Sequence, residues 1–316
     1  MPIFRFDKAS DIARSVRALL DPRDDNRRGA TIDLTKRHED RAENPEHAKR
    51  KISEYKKIKE RDPPLERIET AHLRQLPDFI IIGTQRGGTT SLYRYLTAHP
   101  DIGAALRKEV HYFDRYYEKG MDWYLAHFPV RGEVPMVGEA SPYYLFHPDV
   151  PERARSVVAN AKFIALLRNP VDRAYSHYQM RVRKGLESLS FEEAIDKEHE
   201  RLSSSDDPSS LAWRYYSYVK RGLYVEQLEH WMSVFPREQF LILKSEELYS
   251  DPARTLHQTL TYLGLQPWSL ETFKAHHLMG YPEMDPATRK RLGEYYAPYN
   301  QRLYAFLGRD LGWEHE

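Results

Sequence analysis

The sequence predicts an α/β fold: a central parallel β-sheet flanked by helices, preceded by a charged helical extension. Two observations predict it. From residue 78 onward, short apolar or β-branched runs at 79–82, 136–137, 163–167 and 240–243 alternate with stretches of helical spacing such as 211–235. Strands separated by helices pair in parallel, because each crossover helix returns the chain to the same edge while covering one face of the sheet. Before them, residues 1–76 carry no strand pattern: "TKRHEDRAENPEHAKRKISEYKKIKERDPP" has few apolar positions, is interrupted at Pro45 and ends on Pro63 and Pro64. Such a segment is expected to be a helical or partly disordered solvated arm, leaving residues 77–316 as the folded domain. The polar run "RLSSSDDPSS" at 201–210 is expected to be a surface loop between helices.

Composition narrows the function. With Lys+Arg 48 against Asp+Glu 47 the net charge is +1, so the overall balance does not suggest a nucleic-acid or anionic-membrane binder, and any basic site is local. The absence of cysteine excludes disulfides and thiolate metal sites and fits a reducing compartment. No apolar run approaches the ~20 residues of a membrane span, and the start "MPIFRFDKASDIARSVRALL" lacks the apolar centre of a signal peptide. A cytoplasmic location is expected. The 22 tyrosines would suit either a sugar-stacking surface or an amphipathic core.

The first strand leads into a turn built for an anion. In "DFIIIGTQRGGTTSL" Gly83, Gly87 and Gly88 let the backbone bend and expose N–H groups, while Thr89, Thr90 and Ser91 open the next helix with hydroxyl donors where the dipole favours negative charge. Against the nucleotide-hydrolase pattern G-x-x-x-x-G-K-[ST], Gly83, Gly88 and Thr90 fit, but the lysine position holds Thr89. Arg86 supplies a permanent cation inside the loop instead. The simpler alternative is a glycine turn that only closes a strand–helix unit.

A second constellation follows in "FIALLRNPVDRAYSHYQMRVRKG". Its strand ends at Arg168; Asn169 can cap a helix starting at Pro170, and Ser176 lies about two turns along. Arg168 therefore sits at the carboxyl end of a strand, where open α/β sheets bind ligands. Two phosphate sites at two strand ends imply a ligand with two separated phosphates; the alternative is a helix start with surface arginines. In the third stretch, "LRKEVHYFD", an extended backbone would put Glu109 and His111 on one face as a base and its hydrogen-bonding partner, with Asp114 beside them. A metal triad, or a surface charge cluster beside a buried Tyr112–Phe113 pair, would use the same residues.

Together these stretches resemble the PAPS-dependent sulfotransferases, PAPS being 3′-phosphoadenosine 5′-phosphosulfate. The likeness is to the heparan sulfate type, meaning the N-deacetylase/N-sulfotransferase and 3-O-sulfotransferase domains and their bacterial relatives. "IIIGTQRGGTTSLYRYLTAHPDI" is similar to that family's 5′-phosphosulfate loop and "LLRNPVDRAYSHY" to its 3′-phosphate motif, while "KEVHYFD" resembles the stretch that holds its catalytic glutamate. "GEASPYYL", "RGLYVEQLEHWMSVFP" and "YPEMDPATRKRLGEYYAPYNQRLYAFLGRDLGW" extend the resemblance to residues 78–314. It implies a P-loop-like sulfotransferase fold with PAPS as co-substrate and no metal. It implies Glu109 and Arg86 as catalytic residues, with Arg86, Gly87, Gly88, Thr89, Thr90, Ser91, Arg168 and Ser176 on the cofactor. His111 and Asp114 would lie near the acceptor, a carbohydrate or small glycoconjugate.

The chain departs from that pattern in three places. Arg86 stands where the family loop has lysine, and Ala140 stands where heparan-type members have another lysine. "KAHHLMGYPEMDP" offers only Lys274, His276 and His277 where heparan-acting members carry a basic loop. These differences argue against a heavily anionic polysaccharide acceptor. A P-loop-like kinase and a non-catalytic carbohydrate- or nucleotide-binding module are the alternatives; magnesium dependence separates the kinase, and turnover separates the binding module.

Overall fold

The computed structural model describes residues 62–205, 207–273 and 280–315. Residues 1–61 of the expected arm lie outside the described residues, as do Lys274, His276 and His277. The described residues belong to one compact unit, Asp62–Glu316.

Five parallel strands form the sheet: β1 (Phe79–Gly83), β2 (Ile102–Ala104), β3 (Met136–Ala140), β4 (Lys162–Leu167) and β5 (Phe240–Lys244), in the order β2-β3-β1-β4-β5. Four of these are the apolar runs of the sequence. β2 is the exception, because the tripeptide Ile-Gly-Ala carries no strand signal and is extended only by pairing with Met136, Val137 and Gly138 of β3. β1 is buried along its whole length. Burial on both faces explains why it reads as a continuous apolar run rather than an alternating one.

Helices cover both faces. On one, Phe79 and Ile81 pack with Ile164 and Leu166 against Leu92 and Leu96 of helix Thr89–Leu96 and Leu256 and Leu260 of helix Pro252–Leu263. On the other, Phe163 meets Trp231 at 5.0 Å and Phe235 at 4.6 Å between ring centroids. Each such side chain contributes roughly 1.5–3 kcal/mol on burial. Many tyrosines are also in the interior: Tyr112 stacks on Tyr124 at 4.3 Å, and Tyr144, Tyr218 and Tyr296 are fully buried.

Residues 62–76 pack with the compact unit. Arg67 Nη2 donates to Phe128 O at 2.8 Å and Arg74 Nη1 to the same carbonyl at 2.9 Å, clamping the short helix Leu65–Glu69 to the chain before β3. The helical stretch at 211–235 is broken into Leu211–Tyr216, a 3₁₀ turn Lys220–Gly222 and Tyr224–Val234. Gly222 is needed at this break, since a Cβ there would lie 2.6 Å from Tyr296 Oη. The start of the expected loop at 201–210 is helical, as part of Glu198–Ser203. Among the described residues no helix is long and apolar enough to cross a membrane.

The topology fixes where a ligand can bind. After β1 the chain builds β2 and β3 on one side, then crosses to β4 and β5 on the other, so the carboxyl end of β1 is the switch point of the sheet. Open α/β sheets bind their ligands at such a switch point.

Candidate active site

β1 ends at Gly83, and the turn after it folds against the end of β4. Thr84 N donates to Leu166 O at 2.9 Å, and a Cβ on Gly87 would lie 2.6 Å from that same carbonyl, so only glycine lets the turn approach so closely. Gly88, at φ 90°, caps helix Thr89–Leu96, and no side chain takes its first N–H groups. Those donors and the positive end of the helix dipole lie at the carboxyl end of β1, the arrangement that holds phosphate. The three hydroxyls divide: Thr89 and Ser91 are buried, Ser91 against the phenol of Tyr95, whereas Thr90 keeps partial exposure.

Arg86 adopts φ 76°, a left-handed backbone that costs a non-glycine residue roughly 1 kcal/mol or more. Its guanidinium reaches the second constellation, with Nε donating to Ser176 Oγ at 3.0 Å. Asn169 caps the helix Pro170–Arg183 as expected, its side chain accepting from Val171 N at 3.0 Å. Arg168, at the end of β4, donates from Nη1 to Arg86 O at 3.3 Å. The two cradles expected to be separate are therefore in contact, because β1 and β4 are neighbours with Gly83 opposite Ala165. Among the described residues neither Arg86 nor Arg168 is ion-paired with a carboxylate. Burial first, and the adjacent Arg168 second, lower the Arg86 pKa. Two unneutralised guanidinium groups beside uncapped amide donors fit a ligand that carries more than one anionic group.

The third stretch also assembles, by a different backbone from the one expected. Residues 109–111 are not extended: Glu109 has φ 63° and His111 φ 57°. The left-handed turns bring the side chains into one chain, with His111 Nε2 3.4 Å from Glu109 Oε2 and His111 Nδ1 2.9 Å from Asp114 Oδ2. Lys108 Nζ lies 3.0 Å from Glu109 Oε1. The three non-glycine residues with positive φ among the described residues, Arg86, Glu109 and His111, are all predicted site residues. Strain of this kind persists only where the surroundings enforce it, and it gathers at functional sites.

The electrostatics give each group a role. Burial would protonate Glu109, but the hydrogen bond from His111 and the charge of Lys108 outweigh it and hold the carboxyl well below its usual range. Burial would discharge His111, and Asp114 opposes this by charge and hydrogen bond, leaving the imidazole pKa raised. Asp114 is itself buried, which favours its acid form, yet His111 keeps its pKa low. At neutral pH Glu109 is thus an ionised, half-exposed carboxylate oriented by a buried partner, the state in which it can accept a proton. Among the described residues no cluster of His, Asp and Glu converges as metal ligands do.

The residues behind this trio came from a segment the sequence marks only by resemblance. Ser141 Oγ accepts from His111 N at 3.2 Å and donates to Glu139 Oε1 at 2.8 Å, and Tyr144 Oη accepts from Tyr112 N at 2.8 Å. Glu109 N donates to Ala140 O at 2.9 Å, so Ala140 serves through its backbone. Sequence reasoning also missed Gln85 and Arg221, whose side chains bond to each other. Gln85 was open to view inside the loop, but its partner lies far along the chain.

This fold and site define a class of transferase, and comparison places the chain in it. Residues 76–291 match the family "Sulfotransferase domain", and the chain belongs to that family. It is 33% identical over 267 residues to the heparan sulfate glucosamine 3-O-sulfotransferase 3B1 of Homo sapiens, a match that covers 76% of this chain and 66% of the relative. The chain thus spans just under two thirds of that protein's length. A match to the human bifunctional heparan sulfate N-deacetylase/N-sulfotransferase 3 is 30% identical and covers 74% of this chain and 30% of the relative. Among solved structures, a sulfotransferase from Alicyclobacillus acidocaldarius superposes with a TM-score of 0.66 at 35% identity, covering 77% of this chain and all of its own (100%).

Proposed function

We propose that this chain moves the sulfuryl group of PAPS to a hydroxyl or amino group of a carbohydrate acceptor and releases adenosine 3′,5′-bisphosphate. The observation that carries the reading is the convergence, at the carboxyl ends of β1, β3 and β4, of an ionised carboxylate with an anion cradle whose two arginines have no carboxylate partner among the described residues. PAPS has phosphate at both ends of its ribose, matching the contiguous cradles of Arg86 and of Arg168 with Ser176. The relatives that act on heparan sulfate glucosamine support a sugar acceptor.

The chemistry asks little else of the protein. The acceptor oxygen forms a bond to sulfur while the bond from sulfur to the bridging phosphate oxygen breaks, and that oxygen keeps the electron pair. The acceptor proton passes to Glu109, which His111 and Asp114 hold in place. Arg86 and the loop amides stabilise the charge developing on the leaving phosphate. A phosphate of that kind leaves as an anion and needs no proton.

The test is turnover of labelled PAPS against a panel of amino sugars, oligosaccharides, glycolipids and phenols, with and without EDTA. Product is expected with a sugar acceptor at an unchanged rate in EDTA; an absolute need for added magnesium would return the kinase reading. Glu109→Gln should lower turnover by about 10²–10⁴ with bisphosphate affinity nearly constant. A variant that stays near wild-type rate at neutral pH would move the base elsewhere.

A further inference from the structure

Arg221 opens the stretch "RGLYVEQLEHWMSVFP", which the sequence gives no role in the site, yet it joins the two halves of that site. It is 4% exposed, deep behind the phosphate loop. Its Nη1 donates to the side-chain oxygen of Gln85 within that loop. Nη2 donates to Trp213 O and Arg214 O, both at 3.0 Å, and Nε to Ser217 Oγ at 2.7 Å. The ring of Tyr143 packs against its guanidinium at 4.5 Å.

The segment gripped by Nη2 belongs to the acceptor side. A few residues before Trp213, Ser209 Oγ donates to Asp114 O at 3.0 Å and lies 2.9 Å from His147 Nε2. Tyr143 Oη donates to the neighbouring Pro208 O at 2.7 Å. One continuous set of bonds thus runs from the phosphate loop through Gln85, Arg221 and the 208–214 segment to Asp114, His111 and Glu109.

Holding a cation there is costly. Arg221 has no carboxylate partner among its hydrogen bonds, and burial, with the nearby Arg173 and Arg181 adding to it, lowers its pKa to about 9. A well-packed apolar side chain at such a position is often neutral or stabilising by comparison. What an apolar side chain would lack is the planar fork that reaches the loop at Gln85 and the 213–217 stretch at once.

We propose that Arg221 is a positioning residue for the transfer step. Through Gln85 it fixes the phosphate loop, and through the carbonyls of Trp213 and Arg214 it fixes the segment tied to Asp114, so donor and acceptor groups are kept in line. The inference rests on the sulfuryl-transfer reading of the site. In-line transfer is steeply sensitive to such alignment, because misplacement of about 1 Å can cost on the order of a hundredfold in rate.

The test compares the full wild-type chain with Gln85→Leu, Arg221→Met and the double variant. Gln85 is half-buried in a loop, so its variant remains informative if the loss of Arg221 impairs folding. Three quantities are read: kcat with the best acceptor of the panel, the Kd of adenosine 3′,5′-bisphosphate by calorimetry, and Tm. Gln85→Leu should lower kcat by about tenfold, the equivalent of one charge-assisted hydrogen bond, with Kd within about threefold and Tm nearly constant. The double variant should be no slower than Arg221→Met alone, since the two single changes remove the same bond. Additive losses, or kcat falling and Kd rising in step with a fall in Tm, would make the pair merely structural and overturn the proposal. An unmoved kcat in Gln85→Leu with intact bisphosphate binding would overturn it alone, whereas a wild-type chain that binds no bisphosphate would overturn the sulfuryl-transfer reading as well.

Discussion

Removing Arg168 is the sharpest test of the proposed donor site, because its effects on the two phosphates of the ligand can be weighed separately. Among the described residues its guanidinium hydrogen-bonds Arg86 O at 3.3 Å and Tyr281 Oη at 3.5 Å, both neutral oxygens at long distance. A ribose 3′-phosphate would be its first strong partner. One charge-assisted contact is worth roughly 1.5–3 kcal/mol, so Arg168→Ala should weaken adenosine 3′,5′-bisphosphate by about tenfold to a hundredfold. Two other effects accompany it. Loss of Arg168 removes a positive charge beside Arg86, which weakens any anion held there. It also leaves Arg86 O without its donor, which loosens the loop. Both act on the loop and touch either nucleotide slightly, whereas the 3′-phosphate contact belongs to the bisphosphate alone, so about tenfold to a hundredfold stands for the bisphosphate, with 5′-AMP changing by less than about threefold. Isothermal calorimetry on both ligands measures the difference. Equal losses for the two nucleotides would show that Arg168 acts only through the loop, and the assignment of the second phosphate to Arg168 and Ser176 would fall.

Two further predictions concern buried charge. Arg86→Lys should keep turnover within about tenfold, since a point charge still reaches the phosphosulfate although the bond to Ser176 changes, while Arg86→Met should lose on the order of 10²–10³; a Met variant as fast as wild type would place Arg86 outside the site. Glu198, whose carboxylate oxygens accept from Val219 N at 2.6 Å and Lys220 N at 2.8 Å, has its pKa raised from 4.5 to about 7 by burial, against those hydrogen bonds. The folded state then holds a proton that the unfolded chain releases above pH 4.5, so stability should fall as pH rises from 4.5 to about 7, by on the order of 3 kcal/mol. Glu198→Gln should flatten that slope in denaturant titrations across the window, and an equally steep slope in the variant would refute the assignment.

The sequence by itself determined the sheet strands that are buried on both faces, because continuous apolar runs leave a chain few other places to go. It also determined the glycine turn at 83–88 and the Asn169–Pro170 helix start, which are local rules of backbone conformation and capping. β2 was invisible for the complementary reason: Ile-Gly-Ala has no preference of its own, and only the edge of β3 makes it a strand. The site followed the same division. Glu109, His111 and Asp114 were legible as chemistry within one short segment, but their alignment depends on positive φ at residues 109 and 111, enforced by Ala140 O and Ser141 Oγ from another strand end. The meeting of Arg86 with Ser176, and of Gln85 with Arg221, joins positions 90 and 136 residues apart. Such contacts are set by strand order: β1 lies beside β4, and the choice of neighbour is made by the packing of the whole sheet, on which no single segment carries a signal.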